Sequence, residues 1–227
     1  VGTVEKVIRG IFLNRPNRFI AEVEVNGQIE RVHVKNTGRC RELLVPGCCC
    51  FLSDSGNPER KTRYDLIAVQ KGNLLINMDS QVVNSVAEEY LKKGTLFSKD
   101  ALIRREVTYG KSRFDFYIED GARKIFLEVK GVTLENEGIV SFPDAPTERG
   151  VKHLNELISA VKDGFECYVF FVIQMKGVKS FFPNDVTHPE FGETLRRAEK
   201  NGVRILAMDC QVTPDTLIIA EPVKICL

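Results

Sequence analysis

The sequence predicts an α/β chain (α+β overall), with an N-terminal OB-like β-barrel over 1–80 and a mixed-sheet domain over 81–227. Three observations carry this. Five or six short runs rich in β-branched and aromatic residues fill the first part, which suits a small barrel. Near Gln81 the apolar period lengthens from two residues to roughly 3.6. Beyond it, strand-like runs alternate with two amphipathic helical segments, the order expected of a sheet with a parallel component. A length of 227 residues with 43% hydrophobic content supports a core without staples and excludes disordered or collagen-like classes.

In the first part the strand-like runs are Val4–Phe12, Arg18–Val25, Gln28–Val34, Cys48–Leu52, Tyr64–Gln70 and Leu74–Asn77. Asn26-Gly27 is a two-residue hairpin signal, because both positions tolerate positive φ, and Lys71-Gly72-Asn73 is a further turn. Val82, Val83, Val86, Tyr90 and Leu91 then recur at helical spacing, with Gly94 as the stop. Leu102–Thr108, Arg113–Glu119 and Lys124–Lys130 predict three strands in succession. Pro146 marks a helix start leading into Val151, Leu154, Leu157, Ile158 and Val161, closed at Gly164. Cys167–Gln174 is nearly all apolar, as a central strand covered on both faces should be. A helix over Pro189–Asn201, then strands over Val203–Asp209 and Leu217–Ala220, complete the order.

Charge and cysteine content narrow the function classes. Residues 1–80 carry 12 basic and 9 acidic side chains, against 20 and 22 in 81–227, so no global polyanion-binding field exists and any nucleic-acid contact must come from local patches. Seven cysteines, an odd number, predict a reducing cytoplasm, with the thiols as small core residues. Cys48, Cys49 and Cys50 are adjacent and no Cys-x-x-Cys pair occurs, so no zinc site is expected, and His33, His153 and His188 are too dispersed along the chain to supply one. No P-loop, Gly-x-Ser-x-Gly elbow, secretory signal or membrane span is visible.

The chemistry-bearing segment is Ser112-Arg113-Phe114-Asp115-Phe116 followed by Leu127-Glu128-Val129-Lys130-Gly131. Strand alternation puts Glu128 and Lys130 on one face, with Val129 opposite. It also puts Phe114 and Phe116 together on the face away from Asp115. If the two strands form a hairpin across Glu119–Arg123, Asp115 meets Glu128, and two carboxylates and an ammonium converge. Such a set suits Mg²⁺ (or Mn²⁺) and phosphodiester hydrolysis: hard carboxylate oxygens hold the ion, and Lys130 orients water or stabilises the transition state. The bland alternative is an ordinary solvated strand face. Against it stands Asp115, a carboxylate inside an apolar strand, costly to desolvate without a cation.

Asp115 with Glu128-Val129-Lys130 resembles the PD-(D/E)xK signature of restriction-endonuclease-like nucleases. The whole chain resembles the sugar fermentation stimulation protein A family, through Asn36-Thr37-Gly38-Arg39, Asn57-Pro58-Glu59-Arg60-Lys61, Glu106-Val107-Thr108-Tyr109-Gly110, the two segments above continued to Leu134, Phe142-Pro143-Asp144-Ala145-Pro146-Thr147-Glu148-Arg149-Gly150, and His153-Leu154-Asn155-Glu156-Leu157. The resemblance implies an OB-like domain, a restriction-endonuclease-like second domain, DNA binding without marked sequence preference and a regulatory role in maltose metabolism. The chain departs from the pattern at Phe114, where the general nuclease motif has Pro, at Cys40, where relatives often have Met, and in the triple-cysteine run.

Further candidates surround this set. Glu106 precedes the Asp115 strand and is a candidate to complete the metal shell, or a surface carboxylate. Arg149, His153 and Glu156 lie at i, i+4 and i+7 on one helix face; together with Asp144 they either support the site or form the helix's wet side. Lys35, Arg39 and Arg41 around a Gly-containing turn, Arg60, Lys61 and Arg63 after Asn57-Pro58, and Arg113 and Arg149 are candidate phosphate contacts. Phe19 and Tyr64 are stacking candidates, or core. The expectation is therefore a Mg²⁺-dependent hydrolase on double-stranded DNA. A non-catalytic DNA-binding regulator and an RNA-binding OB protein are the competing readings, with no membrane contact and with a homo-oligomer left open.

Overall fold

Alternating burial closes the first part into a barrel. The computed structural model describes residues 6–36 and 38–227. Its first strands are β1 (Val7–Asn17), β2 (Ile20–Val25), β3 (Gln28–Val34), β4 (Cys49–Asp54), β5 (Tyr64–Lys71) and β6 (Leu74–Asn77). They are hydrogen-bonded in the order β3-β2-β1-β4-β5-β6, and a parallel pairing of β3 with β5 closes the first five into a barrel. Asn26 and Gly27 both have positive φ, as the hairpin between β2 and β3 requires. The expected first strand, Val4–Phe12, begins among the described residues at Val7 and runs on to Asn17; Val4 and Glu5 lie outside the described residues. Ala21, Val23, Val32, Leu52, Leu66 and Val69 fill the interior with no exposure.

Gly10 sits where β1 crosses this interior. A Cβ there would run into the Val23 side chain and stand 3.1 Å from the Glu24 carbonyl oxygen. Gly10→Ala is therefore expected to destabilise the protein by about 1–3 kcal/mol, read from the midpoint of urea unfolding.

The second part begins with α1 (Val83–Lys92) and three antiparallel strands, β7 (Leu102–Tyr109), β8 (Ser112–Asp120) and β9 (Arg123–Val132). Two short strands follow, β10 (Leu134–Asn136) and β11 (Ile139–Phe142), then α2 (Glu148–Lys162) and β12 (Glu166–Ile173). The chain ends with β13 (Ser180–Pro183), α3 (Pro189–Lys200), β14 (Arg204–Thr213), β15 (Thr216–Pro222) and β16 (Lys224–Ile225). The main sheet has the order β15-β14-β12-β9-β8-β7: a parallel centre of β9, β12 and β14 between antiparallel flanks. β12 is buried from Cys167 to Ile173 because α1 covers one face of the sheet and α2 and α3 the other.

Two expectations need correction. The second helix starts at Glu148, not at Pro146: Thr147 is its N-cap, and its hydroxyl accepts from the Gly150 N–H at 3.1 Å. The small sheet β10-β11-β13-β16 was not foreseen, because strands of two to four residues leave no measurable alternation. Contacts from this sheet, from the end of β12 and from the loop before α2 join the two parts. Lys71 Nζ pairs with the Glu135 carboxylate at 2.6 Å, Gln174 donates to Asn77 Oδ1 at 2.8 Å, and the Arg39 N–H donates to Asp144 at 3.0 Å. Among the described residues no helix is long and apolar enough to cross a membrane. All seven cysteines are free thiols, with Cys40, Cys50, Cys167 and Cys210 buried.

Candidate functional site

The hairpin of β8 and β9 turns at Gly121-Ala122 and keeps register from Asp120↔Arg123 to Phe116↔Leu127. The next rung would pair Asp115 with Glu128, and there the ladder changes. Asp115 Oδ2 accepts from the Val129 N–H at 2.8 Å, and its Oδ1 accepts from Asn84 of α1 at 2.8 Å. The facing strand changes at the same level. Glu106 lies on the rung opposite Asp115 and has φ of +54°, a conformation uncommon for a residue with a Cβ. Alternation breaks here. Phe114 packs with Phe126 and Leu154 beneath α2, whereas Phe116 packs with Ile118 and Leu127 beneath α1. The expectation that both phenylalanines share one face is thus corrected, since a local reversal at Asp115 sends them to opposite cores.

Glu128 is buried, 4% exposed, on the face covered by α2. Its Oε1 accepts from Lys130 Nζ at 2.6 Å and contacts His153 Nδ1. Arg149 Nε donates to His153 Nε2 at 3.4 Å, which places the imidazole proton of the neutral ring on Nδ1, toward Glu128. The other carboxylate oxygen of Glu128, Oε2, is buried and has no hydrogen-bond partner among the described residues. Burial pushes the Glu128 carboxyl up, but Lys130 and His153 outweigh it and hold it at about 2. Asp115 goes the other way. Burial and then the Glu128 charge raise its carboxyl, against the opposing Val129 N–H, Lys130 and Asn84. The hairpin has therefore placed two carboxylates close enough to repel, with Glu128 held down by Lys130 and His153 and Asp115 pushed up by burial and by Glu128.

The remaining predicted residues divide. Glu106 is turned outward and pairs with Arg113 at 3.4 Å, both side chains more than half exposed. His153 is buried, so the wet-face reading of its helix stripe is corrected at that position. Asp144 does not support the carboxylate pair: it receives the Arg39 N–H and anchors the barrel loop. Glu156 faces Gly110 at the turn between β7 and β8, away from Glu128, with its Oε2 buried and unpartnered. Lys111, Arg113, Glu148, Arg149, Lys152 and His153 line an open groove of about 530 Å³, four cations against one carboxylate.

In the barrel, Lys35 is not a free cation. It pairs with Asp65 at 3.2 Å and Asp79 at 3.6 Å. Asp65, 3% exposed, also binds Arg60 through both oxygens, at 2.6 and 3.0 Å, and His33 at 3.1 Å. Arg63 is held by Asp54 at 2.8 Å, and Tyr64 is core. Arg39, Arg41 and Lys61 are exposed and have no ion pair among the described residues. Thr37, within the Gly-containing turn, lies outside the described residues.

Two family models cover most of the chain: the SfsA N-terminal OB domain over residues 13–78, and the sugar fermentation stimulation protein RE domain over residues 81–216. The chain belongs to the sugar fermentation stimulation protein family. Among similar family members, the homolog of Clostridium beijerinckii is 57% identical over 221 residues, covering 97% of this chain and 98% of its own. That of Desulfitobacterium hafniense (strain DSM 10664 / DCB-2) is 62% identical over 208 residues, with 92% and 91% covered. A solved family structure, that of Pyrococcus furiosus SfsA in complex with Ca²⁺, superposes with a TM-score of 0.86 at 28% identity, over 100% of this chain and 98% of that one.

Sequence reasoning missed several residues. Asn84 and Arg15 carried no motif: Asn84 is a polar position on an amphipathic helix, and Arg15 is one of many basic residues. Arg15 in fact donates to four carbonyls, those of Arg18, Asn36, Gly38 and Arg39. Nor did the spacing of the histidines show that all three meet carboxylates, His33 at Asp65, His153 at Glu128 and His188 at Glu148 and Glu190. Glu148, His188 and Glu190, at the starts of α2 and α3, bring one possible metal-ligand atom each within 4.8 Å of one another. There the Thr147 N–H donates to His188 Nδ1 at 3.2 Å, which leaves the proton on Nε2, the atom facing both carboxylates. Any ion there must displace that proton or that backbone bond.

Proposed function

We propose that this family member is a metal-dependent hydrolase of DNA phosphodiesters, with Asp115, Glu128 and Lys130 standing as the acidic pair and lysine of a PD-(D/E)xK site. One observation carries the reading: the buried, unpartnered Oε2 of Glu128 beside a half-buried Asp115 whose carboxyl is raised by desolvation and then by the Glu128 charge. A buried oxygen without a donor costs on the order of 1–3 kcal/mol, and two adjacent carboxylates add repulsion. A divalent cation removes both penalties, and oxygen-only donors suit Mg²⁺ or Mn²⁺. The Ca²⁺ in the Pyrococcus furiosus relative supports a hard cation in this family.

Asp115 and Glu128 would hold the ion, which when bound lowers the pKa of water and offsets phosphate charge. Lys130, only partly exposed and already against Glu128, is placed to hold a water or a developing phosphorane oxygen. His153 fixes the Glu128 carboxylate from behind, and Arg149 fixes the His153 ring. Lys111, Arg113, Arg149 and Lys152 along the groove receive the backbone phosphates. Seven free thiols support a cytoplasmic setting.

A second reading, a binding-only regulator of sugar (maltose) metabolism, draws on the same site: Lys130 and His153 already occupy Glu128 Oε1. Cleavage of plasmid and labelled oligonucleotides with Mg²⁺ or Mn²⁺ separates the two. Cleavage by the parent and its loss in Asp115→Ala are expected; equal cleavage by both removes Asp115 from the chemistry, and no cleavage by the parent leaves the binding-only regulator.

A further inference from the structure

Phe19 and Phe182 are the exposed phenylalanines among the described residues, at 45% and 38%. Phe182 stands in a shallow apolar groove beside Asp185, a setting without anion-binding character. Phe19 differs. It lies in the tight turn between β1 and β2, and its backbone is fixed on both sides. Asn17 Oδ1 accepts from the N–H groups of Phe19 and Ile20 at 2.9 and 3.0 Å, and the Phe19 carbonyl accepts from the Val34 N–H at 2.7 Å. The Arg18 guanidinium lies 4.7 Å from the ring centroid. The Arg15 guanidinium then ties this tip to the neighbouring loop through the carbonyls of Arg18, Asn36, Gly38 and Arg39. The loop presents Arg39 and Arg41, both exposed and without an ion pair among the described residues. A rigidly held, half-exposed ring under Arg18, with Arg39 and Arg41 on the loop tied to it and none of the three in an ion pair among the described residues, contributes nothing to the barrel core.

We infer that the tip formed by Arg18, Phe19, Arg39 and Arg41 is a stacking site for an unpaired base of single-stranded DNA, with the arginines on the flanking phosphates. This deepens the proposed function, on which it rests, by naming a single-stranded segment where the sequence expectation was a duplex. A stacked base needs a free π-face, which a duplex interior does not offer. Unpaired cations beside an aromatic are the combination that holds single strands without reading their sequence. The bond from the Arg39 N–H to Asp144 sets the tip beside the segment leading into α2, whose first turn lines the basic groove.

The chain contains no tryptophan, so Phe19→Trp supplies a single reporter. Binding is measured by anisotropy of labelled oligothymidylate and of a duplex of equal length, without divalent metal, so that cleavage plays no part. Phe19→Leu is expected to weaken single-strand binding by about tenfold and duplex binding by less than about twofold. In Phe19→Trp the single strand is expected to bind as to the parent and to quench the tryptophan emission saturably. Unchanged single-strand affinity in Phe19→Leu, an unquenched tryptophan, or a parent that ignores oligothymidylate overturns the inference. None of these results touches the cleavage assay, which decides the hydrolase reading separately.

Discussion

Glu128→Gln is expected to lose metal-dependent cleavage by at least about a thousandfold and to lower stability as well, whereas Asp115→Asn loses the cleavage and stabilises the metal-free protein. The activity loss follows from removing one of two charged oxygen donors, when a bound metal contributes several kcal/mol at the transition state. The stability effects have opposite signs because the two carboxyls are shifted in opposite directions. Glu128 is held at about 2 against an ordinary 4.5. A depressed carboxyl stabilises the fold above its unfolded value, here by about 3 kcal/mol, and that contribution disappears as pH falls from about 4.5 toward 2. Gln carries no charge, so Lys130 loses its counter-ion, the His153 ring faces an amide in place of a carboxylate, and the acid dependence in that window flattens. Asp115 is raised. Its contribution is complete only below its unfolded value and is lost as pH rises through the folded one, so away from acid the carboxyl weighs against the fold. Asn at 115 can still accept from the Val129 N–H, while a flipped Asn84 amide presents its oxygen. Thermal unfolding with and without Mn²⁺ checks all of this. The parent melts higher with metal and neither variant does. Without metal, Glu128→Gln melts below the parent and Asp115→Asn above it. A metal-induced rise retained in both variants would remove the pair from the metal site.

Asp65→Ala is expected to destabilise the barrel by about 3 kcal/mol, at the low end for breaking a buried ion pair because its cationic partners keep some access to water. Asp65 joins Arg60, Lys35 and His33, and so holds the loop after β4 to β3 and to the residue that follows it, while Lys35 also reaches Asp79 in the segment entering α1. Burial raises its carboxyl, yet Arg60, Lys35 and His33 together bring it below the ordinary value. Its stabilising effect is therefore present above about pH 4 and lost on further acidification. In a chain of this size the expected fall in melting temperature is roughly 6–12 °C at neutral pH, shrinking as the pH approaches 3. Lys35→Ala should also melt lower, whereas Lys61→Ala, on an exposed residue, should not. Scanning calorimetry of the three variants tests the assignment of Lys35 to the fold rather than to a ligand.

The barrel was legible because its strands are half-buried: alternation in Ala21, Val23 and Val25, and Asn26-Gly27 between β2 and β3, are local signals that survive without tertiary context. The α/β order of the second part was legible from other local signals, the continuous apolar run of β12, buried on both faces, and the stripe on α2. The short strands β10, β11, β13 and β16 were not, since their stability comes from neighbours distant in sequence. At the site, Asp115, Glu128 and Lys130 could be named from strand spacing. That His153 completes the set could not, because the contact joins β9 to α2 across 25 residues.

Outside the reversal at Asp115, residue periodicity alone determined which faces of this chain are apolar and which side chains of one strand stand together, because both follow from backbone geometry within a few residues. Which cations are free was decided only by tertiary structure. Lys35 and Arg63 read as surface charges in sequence and are ion-paired in the fold, while Phe19 reads as a strand aromatic and is half exposed. Desolvation and Coulomb interaction depend on the distances between groups far apart along the chain, so charge availability and the opposed shifts of Asp115 and Glu128 arise only when the elements pack.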